Sequence, residues 1–167
     1  MTNECDALFL IREFDETEHL TGVQACLIEL QDYERSIDPR MPTGADIVGD
    51  YIPRMLFRCK QCDGMVFVAE SNKNVAGFAT ILAKVRSEEI EDGDFEYGLV
   101  SDLVVAGEFR NRGIGKELLE AVETYAKSKE VKWLRIGVLA DNHVADGLYD
   151  SMGFKRLYVE REKELKI

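Results

Sequence analysis

Long apolar runs are missing from this chain. No stretch reaches the roughly 18 consecutive apolar residues of a membrane-crossing helix, so a helical membrane protein is not expected. The first residues, Met1 to Asp6, are polar and acidic and lack the basic and then apolar segments of a signal peptide. The chain reads as soluble and cytoplasmic. Positive charge is also short: 21 Lys and Arg stand against 32 Asp and Glu, a net charge of −11. Such a chain repels phosphate backbones, which disfavours nucleic acid as the main partner. It attracts cations, amines among them, although the same charge also serves plain solubility.

Metal-ligand patterns are scarce too. The two histidines, His19 and His143, lie far apart. Of the cysteines Cys5, Cys26, Cys59 and Cys62, the last two form a lone C-x-x-C, short of the four ligands of a structural zinc site. That pair closes a helical pattern, whereas a thioredoxin-like pair opens a helix after a strand. Ordinary reduced cysteines and no metal are expected. No repeat, low-complexity segment or linker interrupts the 167 residues, so 1–167 is read as one domain with its own core.

The periodicities define an order of elements. Ala7 to Arg12 reads as a strand. Asp15, with Glu18 three residues on, resembles a capping box opening a helix that runs to about Tyr33. Ser36 to Pro42 reads as a loop. Thr43 then caps a helical segment whose apolar face includes Ile47, Val48, Tyr51, Ile52, Met55, Leu56 and Cys59. Pro53 lies inside it, which predicts a kink or two short helices. Met65 to Glu70 and Val75 to Arg86 form a hairpin, and the acidic run Ser87 to Glu96 is a solvated loop. Tyr97 to Val105 is a strand, Gly113 to Ser128 an amphipathic helix and Val131 to Leu139 a further strand. A short helix over His143 to Ser151 precedes a final strand over Lys155 to Glu160. Three consecutive strands with short connections should be antiparallel, and the helix after Val105 should make a parallel crossover. The class is α/β or α+β, a mixed sheet with helices on its faces.

The sharpest local feature is Arg110-Asn111-Arg112-Gly113-Ile114-Gly115-Lys116, between a strand and a helix. A helix start leaves amides unpaired and carries partial positive charge. Gly113 and Gly115 leave room for a phosphate to approach, and Arg110, Arg112 and Lys116 add positive charge in an acidic chain. The physics points to a phosphate or pyrophosphate site. A P-loop requires Gly where Arg110 stands and Ser or Thr where Glu117 stands. A dinucleotide fingerprint requires a third Gly where Leu118 stands. Both patterns fail.

Arg110-x-x-Gly113-x-Gly115 resembles the acyl-CoA pyrophosphate loop of the GNAT family of N-acetyltransferases, and Asp102 to Val105 resembles the strand before it. Asn142-x-x-Ala145-x-x-Leu148-Tyr149, followed by Gly153-Phe154, is similar to that family's fifth-strand exit, fourth helix and next turn. The resemblance covers Tyr97 to Val159. It implies a central, mostly antiparallel sheet whose fourth and fifth strands splay apart at a bulge to admit pantetheine. The implied cofactor-side residues are Leu103, Val104, Val105, Arg110, Asn111, Arg112, Gly113, Ile114, Gly115, Lys116 and Asn142. The amide of Val105 would polarise the thioester carbonyl, and Tyr149 would donate to the leaving sulfur.

The base is less defined. Family members often place a glutamate on the fourth strand, where this chain has Leu99 and Ser101. Asp102 and Glu96 are the remaining candidates, beside a water chain, and a structural role for Asp102 is an equal reading. Tyr33 and Glu34 are candidates for the acceptor side. Tyr51, Arg54 and Trp133 could join them, with Tyr51 and Trp133 read first as core. The resemblance thus implies an N-acetyltransferase that uses acetyl-CoA as co-substrate and acts on a primary amine, expected to be a cationic small molecule. A protein amine is the other acceptor considered, a non-catalytic acyl-CoA sensor the other class, and a homodimer the expected assembly.

Overall fold

The computed structural model describes residues 9–166. Part of the expected first strand, Ala7 and Leu8, and also Cys5 lie outside them. The strand itself is β1, Phe9–Glu13, followed by helix α1, Glu16–Ile37. Asp15 caps α1, accepting the amides of Thr17 and Glu18. The helix continues one turn past Tyr33 because its stop signal is Pro39. Asp38 before that proline is extended (φ −123°, ψ 95°), as a residue preceding proline prefers. Helix α2, Gly44–Gln61, begins at the Thr43 cap. Contrary to the expectation of two short helices, it runs continuously through Pro53. The apolar face of Ile52, Met55 and Cys59, buried on the sheet, holds it together across the missing donor.

Strands β2 (Met65–Ser71), β3 (Asn74–Arg86) and β4 (Glu96–Val105) follow, then α3 (Ile114–Ser128), β5 (Leu134–Ile136) and α4 (His143–Ser151). The sheet order is β1-β2-β3-β4-β5. Its first three pairings are antiparallel and β4 runs parallel to β5, as the connection lengths require. Helices α1 and α2 cover one face, with Val23, Leu27, Ile52, Met55, Phe78, Leu82 and Val104 in the core. Helix α3 covers the other, where Ile114, Leu118, Leu119 and Val122 meet Ala79, Ile81 and Val100. Residues 76–83 of β3 are therefore buried on both sides.

Two expectations fail at the far edge. The fifth strand is three residues long because it tracks β4 only from Gly98 to Val100 before diverging. Among the described residues no strand follows α4. Lys155 to Glu160 has no regular secondary structure, and Leu157, Tyr158 and Val159 are exposed. So short a β5 offers no ladder to build on. The segment is tied down by charge instead, Arg156 to Asp146 at 2.9 Å and Glu162 to Arg40 at 2.7 Å. Trp133, expected in the core, is 62% exposed at the start of the same edge.

Close backbone approach makes Gly77 a sensitive point: a Cβ there would lie 2.4 Å from the Val104 carbonyl oxygen of the neighbouring strand. Gly49, in the middle of α2, would meet nothing within 4 Å. Gly77→Ala is expected to cost about 1–3 kcal/mol by forcing β3 from β4. Gly49→Ala is expected to gain about 0.5–1 kcal/mol from backbone entropy. Chemical denaturation of the two variants checks both signs.

Candidate active site

The site grows from an irregularity in β4. Thr80 of β3 pairs with Asp102 and Ile81 with Val100, so Ser101 is an extra residue, a bulge. The resemblance implied a bulge without locating it. Because β5 pairs only with Gly98 to Val100, the outer edge of β4 lies open from Ser101 to Val105. Which groups face that edge follows from ladder alternation. Ala106 donates its amide to Ala76 O at 2.9 Å, so Val104 and Asp102 also turn their backbone groups toward β3. The amides of Leu103 and Val105 face the gap. The Val105 carbonyl is taken by Arg110 Nε at 3.1 Å, but its N–H is free to donate.

At the end of this gap stands the start of α3. Gly113 is its N-cap, left-handed at φ +80°, and supplies no side-chain cap. The first helical amide to find a partner is that of Glu117, on Gly113 O. The amides of Gly113, Ile114, Gly115 and Lys116 are therefore without intrahelical partners. A Cβ on Gly113 would enter open space, as an anion cradle requires, whereas one on Gly115 would press on Leu148 at 3.1 Å. Gly115 thus serves the packing of α3 on α4 more than phosphate access. The side chain of Ile114 is core, and only its amide faces the cradle. Asn111 holds the turn at φ +62°.

The basic residues divide. Arg110 is bound to Glu29 at 2.9 Å and lies over the Tyr33 ring, so it braces the loop. Arg112 stacks on Phe109 and donates to Glu108 O, and Lys116 pairs loosely with Glu120 at 3.6 Å. Both remain exposed at the mouth. Glu29, which the sequence does not single out, also accepts the Gly107 amide at 2.8 Å. Its signal is weak, a lone acid on a helix flank. Asn142 caps α4 by accepting the Ala145 amide at 3.2 Å and the Tyr33 hydroxyl at 3.4 Å, leaving its NH2 group to donate. Tyr33 therefore sits against Asn142 at the start of α4.

Tyr149 is 8% exposed, and among the described residues its hydroxyl has no protein hydrogen bond. Burial, assisted by the charge of Glu34, pushes its pKa up to about 12. Asp102 is 5% exposed with both carboxylate oxygens engaged, one by Tyr51 Oη at 2.6 Å and one by Ser101 Oγ at 2.8 Å. With both oxygens already hydrogen-bonded to neighbouring hydroxyls, Asp102 fits the structural reading. Glu96 is paired with Arg86 at the opposite end of β4. Glu34 is half-buried, and burial followed by the charge of Asp102 raises its pKa above the ordinary range. The charge of Glu34 bears in turn on Tyr149. Tyr51, Arg54, Met55, Arg58, Ser101 and Asp102 line a small pocket on the α2 side.

Cys26 and Cys59 are buried thiols. Burial raises Cys59 to about 11 and Cys26 to about 12, so neither is a thiolate at neutral pH. His19 lies near Glu18 and Glu70. Its Nδ1 accepts the Asp15 amide at 2.8 Å, which puts the proton of the neutral ring on Nε2, facing Glu70. That tautomer offers no lone pair to a metal there. No described helix is long and apolar enough to cross a membrane.

A splayed pair of parallel strands, an uncapped helix start and a buried tyrosine on the next helix are the features that the acetyltransferase resemblance implied. The Acetyltransferase (GNAT) family profile matches residues 28–154, and the chain belongs to that family. Members generally use acetyl-CoA as co-substrate. An uncharacterized N-acetyltransferase, YycN of Bacillus subtilis, is 27% identical over 95 residues, a match spanning 57% of each protein. A putative acetyl transferase from Pyrococcus furiosus superposes with TM-score 0.71 at 20% identity, covering 95% of this chain and 100% of that one. Glucosamine-6-phosphate N-acetyltransferase from Arabidopsis thaliana gives 0.66 at 18% identity, covering 95% and 99%. At these identities the two structures establish the fold.

The two jobs of Asn142 separate by substitution. Asn142→Ala should cost about 1 kcal/mol through loss of the α4 cap. Asn142→Asp, which keeps the capping oxygen, should stay near wild type in the same thermal or denaturant melt.

Proposed function

We propose that this protein transfers the acetyl group of acetyl-CoA to the primary amine of a small molecule by direct attack. The observation that carries the reading is the open edge of β4 running into the uncapped amides of α3. The amides of Gly113 to Lys116 would hold the pyrophosphate, with Arg112 and Lys116 adding charge at its rim. The backbone of Leu103 and Val105 and the NH2 group of Asn142 would hold the pantetheine arm as an added strand. The thioester supplies the activated acyl group.

The amine arrives protonated, and the acidic surroundings of Glu34 and Asp102 favour that cation. Glu34, its pKa raised by burial and by the charge of Asp102, takes a proton from the ammonium and leaves a nucleophile. Nitrogen bonds to the carbonyl carbon while the Val105 N–H steadies the oxyanion. The carbon–sulfur bond then breaks. The products are the amide, the free thiol and one proton released to solvent.

Tyr149 stays protonated at neutral pH, so its hydroxyl is a donor to the sulfur. Full transfer from a group near 12 to a thiolate near 8.5 is uphill by roughly 5 kcal/mol, which favours a hydrogen bond over transfer. The thiolate then takes its proton from the nitrogen of the intermediate or from water.

Tyr149→Phe should lower kcat by about a hundredfold or more while calorimetry still finds acetyl-CoA bound. Unchanged turnover would remove Tyr149 from the mechanism. Tight binding with no turnover of any amine by the wild-type protein would favour an acyl-CoA sensor. Glu34→Gln should lower kcat/KM by about a hundredfold near pH 7, with the deficit shrinking as pH rises and the amine arrives already neutral. A deficit constant across the pH profile would reject Glu34 as the base.

A further inference from the structure

The chain carries more acid than base, yet two neighbouring arginines find no acid. Arg12, Arg40, Arg86, Arg110 and Arg156 each face a carboxylate, Arg35 and Arg112 are held by backbone carbonyls, and Arg135 lies over the Phe95 and Tyr97 rings. Among the described residues, Arg54 and Arg58 have no carboxylate within 4.0 Å and no hydrogen bond to either guanidinium. They stand four residues apart on α2, about 6 Å along its axis. Both line the same pocket as Tyr51, Ser101 and Asp102. The one acid of that lining, Asp102, is already satisfied by two hydroxyls.

Arg54 and Arg58 stand apart from the other arginines without a carboxylate partner because both line one pocket, on one face of one helix. The guanidinium fork matches the paired oxygens of carboxylate and phosphate, and two forks one turn apart can hold one such group from two sides. The nearby Glu34 supplies the opposite end of the recognition, the amine.

We propose that the acceptor carries, beside its amine, a compact anionic group, carboxylate or phosphate, that docks between Arg54 and Arg58. This rests on the acetyltransfer reading of the same site. It replaces the polycation that net charge alone suggests with an acceptor of mixed charge. The sum over the surface draws a cation in, whereas the pocket selects among amines by what else they bear.

The test uses the full chain with acetyl-CoA and matched pairs of primary amines, transfer being followed by mass spectrometry. Amino acids are compared with their amides, and amino sugar phosphates with the unphosphorylated sugars. Linear polyamines form a further arm. In at least one pair the anionic member should exceed its uncharged partner about tenfold in kcat/KM, and the favoured pair tells carboxylate from phosphate. Arg54→Gln and Arg58→Gln should each lower that ratio about tenfold. Lys73→Gln, in the exposed β2–β3 turn, should not move it. Polyamines or uncharged amines preferred throughout, or a ratio untouched by both arginine variants, would overturn the proposal.

A second measurement keeps the subsite separate from catalysis. Inorganic phosphate is titrated into protein saturated with coenzyme A, so that the cofactor's own phosphate sites are filled. Wild type should gain thermal protection that the double variant lacks. Protection without turnover of any amine would keep the subsite and discard the acetyltransfer reading. No phosphate-dependent protection in wild type, or equal protection in the double variant, would discard the subsite.

Discussion

The site depends on β4 losing one neighbour while keeping the other. A strand with both edges paired has no backbone left to offer. Up to Val100 β4 is such a strand, and beyond it the β5 side is bare. The bulge at Ser101 makes the change abrupt. It also sets the side chains of Ser101 and Asp102 side by side, so that one hydroxyl satisfies the adjacent carboxylate. Sheet geometry thus does two things with one inserted residue: it frees amides at the outer edge and fixes a buried acid beneath the α2 helix.

The elements around this opening come from distant parts of the chain and are fastened by few polar contacts. Helix α1 reaches across with Glu29 to the turn after β4 and with Tyr33 to the cap of α4. Helix α2 sends Tyr51 to Asp102. Each contact places a polar group from the first third of the chain on a residue from the last two-fifths. The two faces of the sheet are accordingly linked around the open edge. One face carries the start of α3 and Tyr149, and the other carries Tyr51, Arg54 and Arg58.

Much of this was readable from sequence, and the parts that were not share a cause. Local signals worked: the caps at Asp15 and Thr43, the hairpin between β2 and β3, the amphipathic α3 and the order of the elements. The loop from Arg110 to Lys116 can be read as a phosphate cradle from sequence because its logic is contained in seven neighbouring residues. The individual assignments within it were less secure. Arg110 turns inward to Glu29, and Gly115 clears space for Leu148, because both outcomes depend on residues far away in sequence. Arg54 drew notice but Arg58 did not, since their isolation from acids is a property of the folded surface. The expected last strand failed for a related reason. Residue types suited to a strand are not enough when the edge they need is three residues long.

Glu29 has a consequence for the kinetics of ligand capture. Its carboxylate holds both Gly107 and Arg110, so the approach to the α3 cradle is already ordered before anything enters it. A loop arranged during folding does not have to give up freedom again when a ligand arrives. Encounter can then proceed on a rigid target, at a speed governed by diffusion and charge rather than by a search among loop shapes.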